Sequence, residues 1–528
     1  MIILSVLSAL FESVMISACC VLCGWRLLHY FQLESYQLPG YWRSVKRNAQ
    51  RLLLPGMAVA AAGTTAYLLG VMMIVRVAFM FSLSTFLFVR GKREKAKKPF
   101  VITERVKRLI AMHAGTTFAV ALLLFALSPA MPARLCGTLA YLLPAAESLL
   151  IALAALCAAP IEKGINQQFV DDAKARLAAH PQLIKIGITG SYGKTSTKFL
   201  LRDILSVKYN VLATPSSFNT TMGVTRVIRE QLTGTHQVFI AEMGARHVGD
   251  IAELVDLVHP TMGLITSVGP QHLDTFGTIE RIRDTKYELI AGLPQNGTAI
   301  FAKDGAICEE LYKRCPLSDK HMPGGLIAAS DVAVGPWGSR FTLTDVMTGE
   351  TAQCQTKLLG EHAISNLLLC CTAARKLGMT LEEIALGVAR CQPVEHRLQL
   401  LDGGASGVTI IDDAFNSNPV GAKAALRVLS RFPGRRIVIT PGMVELGGEE
   451  ATFNEAFGEQ MAGSVDVAIL VGKRHVQPIV DGLLKAGFPQ EHIHVVADLD
   501  ESTKVLHAMM RAGDVVLYEN DLPDNYSE

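Results

Sequence analysis

Hydrophobic and polar positions divide this chain into two unlike parts. Up to residue 158 the apolar residues come in long runs, over 2–25, 52–89, 109–127 and 135–158, each long enough for the roughly 20 residues that a membrane span needs. As one helix the run 52–89 would extend about 57 Å, nearly twice the hydrocarbon thickness. It therefore predicts a hairpin of two spans turning near Gly70 to Arg76, and about five spans in all. From 159 to 182 a polar stretch (EKGINQQFVDDAKARLAAHPQ) reads as a helical linker. Beyond it short β-rich runs alternate with amphipathic windows: LIKIGI, KFLLRDIL, VFIAE, MGLITSV and RIRDTKYELI. Such alternation predicts a mostly parallel sheet. Residues 360–391 read as helical, and a second series (VTIID, a Pro419-led helix, RRIVIT, DVAILVG, HIHVVA, DVVLYEN) predicts a separate doubly wound domain. The expected organisation is an α-helical membrane region over 1–158, a linker over 159–182, a central α/β domain over 183–393 and a Rossmann-like α/β domain over 394–528.

Charge orients the first part. With an odd number of spans alternate loops share a side, and the connection after the first span carries Arg26, Arg43, Lys46, Arg47 and Arg51. That after the third carries Arg90, Lys92, Arg93, Lys95, Lys97, Lys98, Arg105, Lys107 and Arg108, whereas the loop before the fifth offers only Arg134. The excess of basic residues on the cytoplasmic side of membranes predicts a multi-pass protein of the inner cell membrane, its N-terminus outside and everything after residue 159 in the cytoplasm. The first run lacks the basic start and small-residue cleavage site of a secretory signal, so it reads as a span. Glu147, inside the last span, is an intramembrane acid and thus a functional candidate. Next to the helix-breaking Pro144 it can equally face a neighbouring helix.

Composition changes little else. The 50 basic and 48 acidic side chains leave a net charge of +2, so the charge balance implies no nucleic-acid partner. Hydrophobic residues reach 50% with mean hydropathy +0.31, an excess concentrated in the first part. Of the 11 cysteines, three (Cys19, Cys20 and Cys23) lie in one apolar run and the others show no metal-like or disulfide-like spacing, so they read as free thiols.

Candidate chemistry begins at GITGSYGKTSTK, residues 187–198. A strand enters a glycine turn and a helix leaves it, the setting in which backbone N–H groups and a helix N-terminus bind an anion. The common phosphate-loop pattern would place glycine at 188, where this chain has Ile188. It keeps Gly190, Ser191, Gly193, Lys194, Thr195 and Ser196, with Lys194 placed for the β and γ phosphates and Thr195 for Mg²⁺. VFIAE ends a neighbouring strand with Glu242, where such loops want an acid to hold the metal. Further on, TSVGPQHLDTFGTIERIRDTK offers His272 on a loop and Lys286 on a helix capped by Thr278.

With TGSYGKTST, FNTTMG, AEMGARHVGDI, VGPQHLDTFGT followed by Lys286, HAISN, EHRLQ and IIDDAFNSNP in this order, residues 183–528 resemble the Mur ligase family of ATP-dependent amide ligases, nearest to its D-alanyl-D-alanine-adding branch. The resemblance implies a membrane-anchored ligase with an acyl-phosphate mechanism, in which ATP phosphorylates a carboxylate and an amine then attacks it. The amine is an amino acid or dipeptide, and the carboxylate belongs to a peptide-bearing, peptidoglycan-type precursor. By position it implies that Lys194 and Thr195 hold the phosphates and a first Mg²⁺ with Glu242. His272 and a CO₂-carbamylated Lys286 would hold a second ion. Asn219, Asn366, Arg397 and Asp413 would contact the nucleotide.

The chain departs from the pattern in three places. Asn219 is followed by Thr220 where that branch has a second asparagine, and the last strand leads into YENDLPDNYSE instead of a lysine-glycine-serine signal. The apolar runs stand where the family has its uridine-nucleotide domain, so the precursor carrier is either UDP or a lipid. Two other readings stay open, a ligase for another polymer such as poly-γ-glutamate, and a membrane ATPase that forms no amide. Lys286 separates the second, because a motor has no use for a CO₂-modified lysine.

Overall fold

The computed structural model describes residues 2–92, 99–127, 131–216, 218–402, 404–415, 417–444, 446–472 and 475–521. Arg93, Lys95, Lys97 and Lys98, and residues 522–528 of the C-terminal acidic segment, lie outside the described residues. Two compact units divide at Gln167 and Gln168.

The first unit is helical: α1 (Ile2–Cys23), α2 (Trp25–Leu33), α3 (Leu38–Arg47), α4 (Ala49–Leu68), α5 (Met73–Lys92), α6 (Glu104–Ala126), α7 (Ala133–Leu142) and the start of α8 (Glu147–Ala178). The expected hairpin is formed by α4 and α5, with Gly70 at φ +71 in the turn between them. Among the described residues, four helical stretches are long and apolar enough to cross a membrane: Ser5–Cys23, Met73–Lys92, Glu104–Ala126 and Ala133–Ala178. Of the five expected, one is not among these candidates. The missing one is α4, where Gln50, Arg51, Gly56, Gly63, Thr64 and Thr65 dilute the apolar content. The stretch read as a linker is no separate element, because α8 continues through Pro160 to Ala178. Its final turns belong to the second unit: Ala173 and Leu177 are buried in that core, and Lys174 pairs with Asp256 at 2.6 Å.

The second unit opens with a six-stranded sheet built from β1 (Ile184–Thr189), β2 (Val211–Ala213), β3 (Val238–Glu242), β4 (Met262–Ile265), β5 (Thr298–Phe301) and β6 (Lys320–His321), in the order β2-β3-β1-β4-β5-β6. All pairs are parallel. The crossover helices are α9 (Lys194–Leu205), α10 (Thr221–Gln231), α11 (Asp250–Val258), the short α12 (Leu273–Phe276), α13 (Ile279–Ala291) and α14 (Gly305–Arg314). Helices cover both faces of a parallel sheet, so its strands read as continuous apolar runs; all five residues of β3 are buried, Glu242 among them.

An antiparallel meander follows, β7 (Ile327–Gly335), β8 (Gly338–Asp345) and β9 (Thr351–Thr356). Then come α15 (Glu361–Lys376) and α16 (Leu381–Arg390), the latter started by a Thr380–Glu383 capping box. The second sheet contains β10 (Gln399–Asp402), β11 (Thr409–Asp413), β12 (Arg436–Thr440), β13 (Val467–Val471), β14 (Ile493–Val496) and β15 (Val515–Glu519), in the order β10-β11-β15-β12-β13-β14. Only β10 is antiparallel. Its helices are α17 (Pro419–Leu429), α18 (Glu450–Ala462), α19 (Gln477–Lys485) and α20 (Leu499–Met509).

Candidate active site

The glycine turn between β1 and α9 is a loop of four residues, 190–193. Ile188 is fully buried within β1, in register with Glu242 of β3, so the position lacking glycine belongs to the sheet and not to the loop. Gly190 has φ +152, and a Cβ there would lie 2.1 Å from Thr266 Oγ1 and 2.9 Å from Ser267 O, so no side chain fits. Gly193, at φ +78, caps α9 in the left-handed conformation, which glycine adopts without steric cost. The loop is pinned to the segment after β4: Ser191 N donates to Ser267 O (2.7 Å), Tyr192 N to Ser267 Oγ (2.9 Å) and Ser191 Oγ to Gly269 O (2.9 Å). Lys194 Nζ folds back onto Gly190 O (2.7 Å) and Ser191 O (3.0 Å). Burial, with Arg397 nearby and against the pull of Glu242, brings its ammonium down to about 8.

Glu242 gathers the other groups. Its Oε1 accepts from Thr195 Oγ1 (3.1 Å) and Asn219 Nδ2 (3.0 Å). Its Oε2 accepts from Lys198 Nζ at 2.9 Å, which also donates to Ser216 O at 2.5 Å. Burial works against ionisation of Glu242, but Lys198, Lys194 and Asn219 outweigh it and hold the carboxyl below its usual range. Lys198 and Glu242 are both essentially inaccessible to solvent. The motif reading stopped short of Lys198; the signal was its spacing, one turn beyond Lys194 on the same helical face.

The remaining residues stand at varying distance from this group. Lys286 is buried on α13, whose N-cap is Thr278 as the sequence suggests. It has no hydrogen bond or ion pair among the described residues, and burial, reinforced by the charge of Lys194, pushes its amine well below the ordinary lysine value. His272 caps α12 at φ +54. Among the described residues, no group of three or more His, Cys, Asp or Glu is arranged to hold a metal. Asn366 lies against the loop, its Oδ1 3.1 Å from where a Cβ on Gly193 would be. A small cavity is lined by Ser196, Asn366 and Arg397, among others. Arg397 also faces a cavity of about 620 Å³ with Thr195, Phe199, Arg202 and Arg390, and stacks 4.6 Å from the Phe415 ring centroid.

Both neighbours of Arg397, His396 (φ +59) and Leu398 (φ +46), take left-handed backbone conformations, strain that persists only where the surroundings enforce it. His396 Nδ1 pairs with Asp412 Oδ2 (2.7 Å), and Leu398 N donates to Asp413 Oδ1 (3.0 Å). Asp413 thus acts on the backbone that presents Arg397. Burial raises its carboxyl to about 6.

A helix N-terminus, a loop lysine and a hydroxyl facing a carboxylate converge here on one point. The fold and site define a phosphate-loop nucleotide-binding α/β protein. The sequence matches the Mur ligase middle domain over residues 188–374 and the Mur ligase glutamate ligase domain over 396–518. UDP-N-acetylmuramoyl-tripeptide–D-alanyl-D-alanine ligase of Mycobacterium tuberculosis is 32% identical over 379 residues, covering 65% of this chain and 72% of that protein. Among solved structures, MurF of Thermotoga maritima in complex with ADP is 26% identical with a TM-score of 0.60, covering 67% of this chain and 80% of that one. MurF of Acinetobacter baumannii shares the fold, with a TM-score of 0.62 at 24% identity over 68% of this chain and 78% of its own. The chain belongs to the Mur ligase family and is an ATP-dependent ligase.

Proposed function

We propose that this protein is a membrane-held amide ligase that joins an amino acid or dipeptide, D-alanyl-D-alanine in the named relatives, to a peptide-bearing cell-wall precursor. The single observation that carries the reading is the convergence of Lys194, Thr195, Asn219 and Glu242 at the loop, with the unpartnered amine of Lys286 close enough to feel Lys194. The loop N–H groups and Lys194 bind the ATP phosphates, and Asn366 and Arg397 flank the base and sugar. The precursor carboxylate attacks the γ-phosphorus, ADP leaves, and the acceptor amine attacks the acyl phosphate. The tetrahedral adduct then expels phosphate to give the amide. Loop and lysine supply the charge neutralisation that lets an anion approach a polyanion.

The residues fit a metal in part. Thr195 Oγ1 and Glu242 Oε1, 3.1 Å apart, suit one Mg²⁺, and His272 with a CO₂-modified Lys286 would hold a second. Bound Mg²⁺ would screen the phosphate charge and orient the transferred group. A desolvated lysine with a depressed amine is nucleophilic toward CO₂ at neutral pH, which accounts for a lysine in such a place.

Membrane attachment is supported by the four apolar stretches and by large apolar side chains that they leave exposed, such as Phe86 at 61% and Leu156 at 59%. The helical unit precedes the family match, which begins at residue 188, so the precursor carrier is a nucleotide or a lipid. Phosphate release by the purified full chain, across UDP-linked and lipid-linked peptide precursors with candidate amines, tests the reading, with mass spectrometry of the product. Precursor-dependent release that disappears in Lys286→Ala is expected. ATP turnover that survives Lys286→Ala and that no precursor stimulates would replace the ligase by a simple ATPase.

A further inference from the structure

Among the described residues, three carboxylates of the helical unit are buried, Glu12, Glu147 and Glu162, and their surroundings are not built alike. Near one end Glu12 Oε2 accepts from Arg76 (2.8 Å) and Tyr141 (2.5 Å), while Oε1 accepts from Ser8 (3.1 Å). Near the other, Glu162 takes both forks of Arg108 (2.6 and 3.0 Å), with Arg105 at 3.8 Å. In each the cation is an arginine, permanently charged, and both carboxylate oxygens are met. Such clusters are fixed clamps.

Between them stands a different pair. His113 Nε2 of α6 lies 2.6 Å from Glu147 Oε1 of α8, and the two side chains are 0% and 3% exposed. The Cys20 thiol also reaches Glu147, whereas His113 Nδ1 and Thr117 Oγ1, one turn along α6, are buried with no hydrogen-bond partner among the described residues. The groups facing Glu147 from the packed helices are the thiols of Cys20 and Cys23 on α1, the phenol of Tyr41 on α3 and His113; no arginine or lysine is among them. Glu12 and Cys20 are about 12 Å apart along α1, and Glu147 and Glu162 about 22 Å apart along α8. The pair therefore sits away from both clamps, in the part of the unit least able to support a bare charge.

A buried ion pair is stabilising only when its remaining lone pairs and protons are satisfied as well, and here His113 Nδ1 is left without a partner among the described residues. Histidine is also the side chain whose charge changes near neutral pH. Resting on the membrane reading above, we propose that His113 and Glu147 form a proton-binding site inside the helical unit, which takes up and releases a proton at Glu147 with His113 as its counter-charge.

The test uses the full chain in lipid nanodiscs, treated with dicyclohexylcarbodiimide between about pH 5.5 and 9. This apolar reagent adds to a protonated carboxyl to leave an N-acylurea, which mass spectrometry maps. Glu147 should be labelled and Glu12 and Glu162 spared, with labelling falling as pH rises and lost in Glu147→Gln. His113→Gln removes the counter-charge, so Glu147 should stay protonated to higher pH, moving the midpoint up by about one unit or more. Unchanged ligase turnover in His113→Gln will show that the variant is folded. No label on Glu147 in protein that resists carbonate extraction, or the same profile in His113→Gln, would overturn the proposal. Release of the chain from membranes by carbonate would overturn the membrane reading itself.

Discussion

Replacing Lys198 by methionine keeps the length and apolar stem of the side chain but removes the ammonium from a fully buried pair with Glu242, 2.9 Å away. At that distance the attraction is about 6 kcal/mol at an effective dielectric of 20, and removing one partner of a buried pair costs about 3–5 kcal/mol because the other charge is left unpaired. Thr195 and Asn219 still donate to Glu242, so the lower end of that range, about 3 kcal/mol, is the expectation. For a unit of this size, at about 2.1 cal/mol/K per residue, that is a fall of about 4 °C in the melting transition. Thr195, Asn219 and Lys198 would also share the Glu242 carboxylate with any metal that binds there. In wild type the ion meets a carboxylate already neutralised by Lys198, whereas in the variant the ion alone neutralises it. Scanning fluorimetry of the full chain with and without Mg²⁺ and ADP should therefore give a lower melting point for Lys198→Met without ligand and a larger gain with it. Adding Glu242→Gln should cost far less in the variant than in wild type, since the charge that Lys198 answers is then gone. A melting point like that of wild type, or a gain from Mg²⁺ and ADP equal to or smaller than that of wild type, would refute the assignment of Lys198 as the counter-ion of this carboxylate.

Gly190→Ala should abolish ATP-dependent turnover and ADP binding in a titration, because its Cβ would lie 2.1 Å from Thr266 Oγ1 in a conformation that alanine avoids. Lys194 has its ammonium lowered to about 8, and phosphate binding favours the charged form. The proton is therefore already present below pH 8 and must be taken up on binding above it, so the KM for ATP should rise with pH above about 8, by up to tenfold per unit; a flat profile in wild type would exclude Lys194 as a phosphate contact. Asn366→Ala should raise the KM for ATP several-fold with a smaller change in kcat, the pattern of a lost ground-state contact, as steady-state kinetics will measure.

Some of this molecule could be read before any coordinate was known. The hairpin of α4 and α5 followed from a run too long for one span, and the parallel sheets from β-rich stretches separated by helical windows. Thr278 announced the helix that carries Lys286, and the ordered motifs led to Lys194, Thr195 and Glu242. These features are local, because they depend on period, capping chemistry and the residue types that a phosphate loop needs. Elsewhere local signals stop short. α4 has the length of a span but not the apolarity, and the polar stretch after residue 158 is a continuation of α8 whose Ala173 and Leu177 find a core that the sequence does not name.

The tertiary structure alone decided which charged residues meet. Ile188 proved to be a strand residue because its register with Glu242 puts it inside the sheet, leaving Gly190 to make the turn. Lys198 became part of the site because β3 delivers Glu242 to the face of α9 that it occupies. Asp413 holds the backbone beside Arg397. Glu147, an isolated acid in the sequence, acquired His113 from a helix more than thirty residues earlier. Sequence fixes what each element is, since periodicity and propensity act over a few residues. Pairings between buried charges depend on registers and crossings set by the packing of the whole unit, and no local pattern carries them.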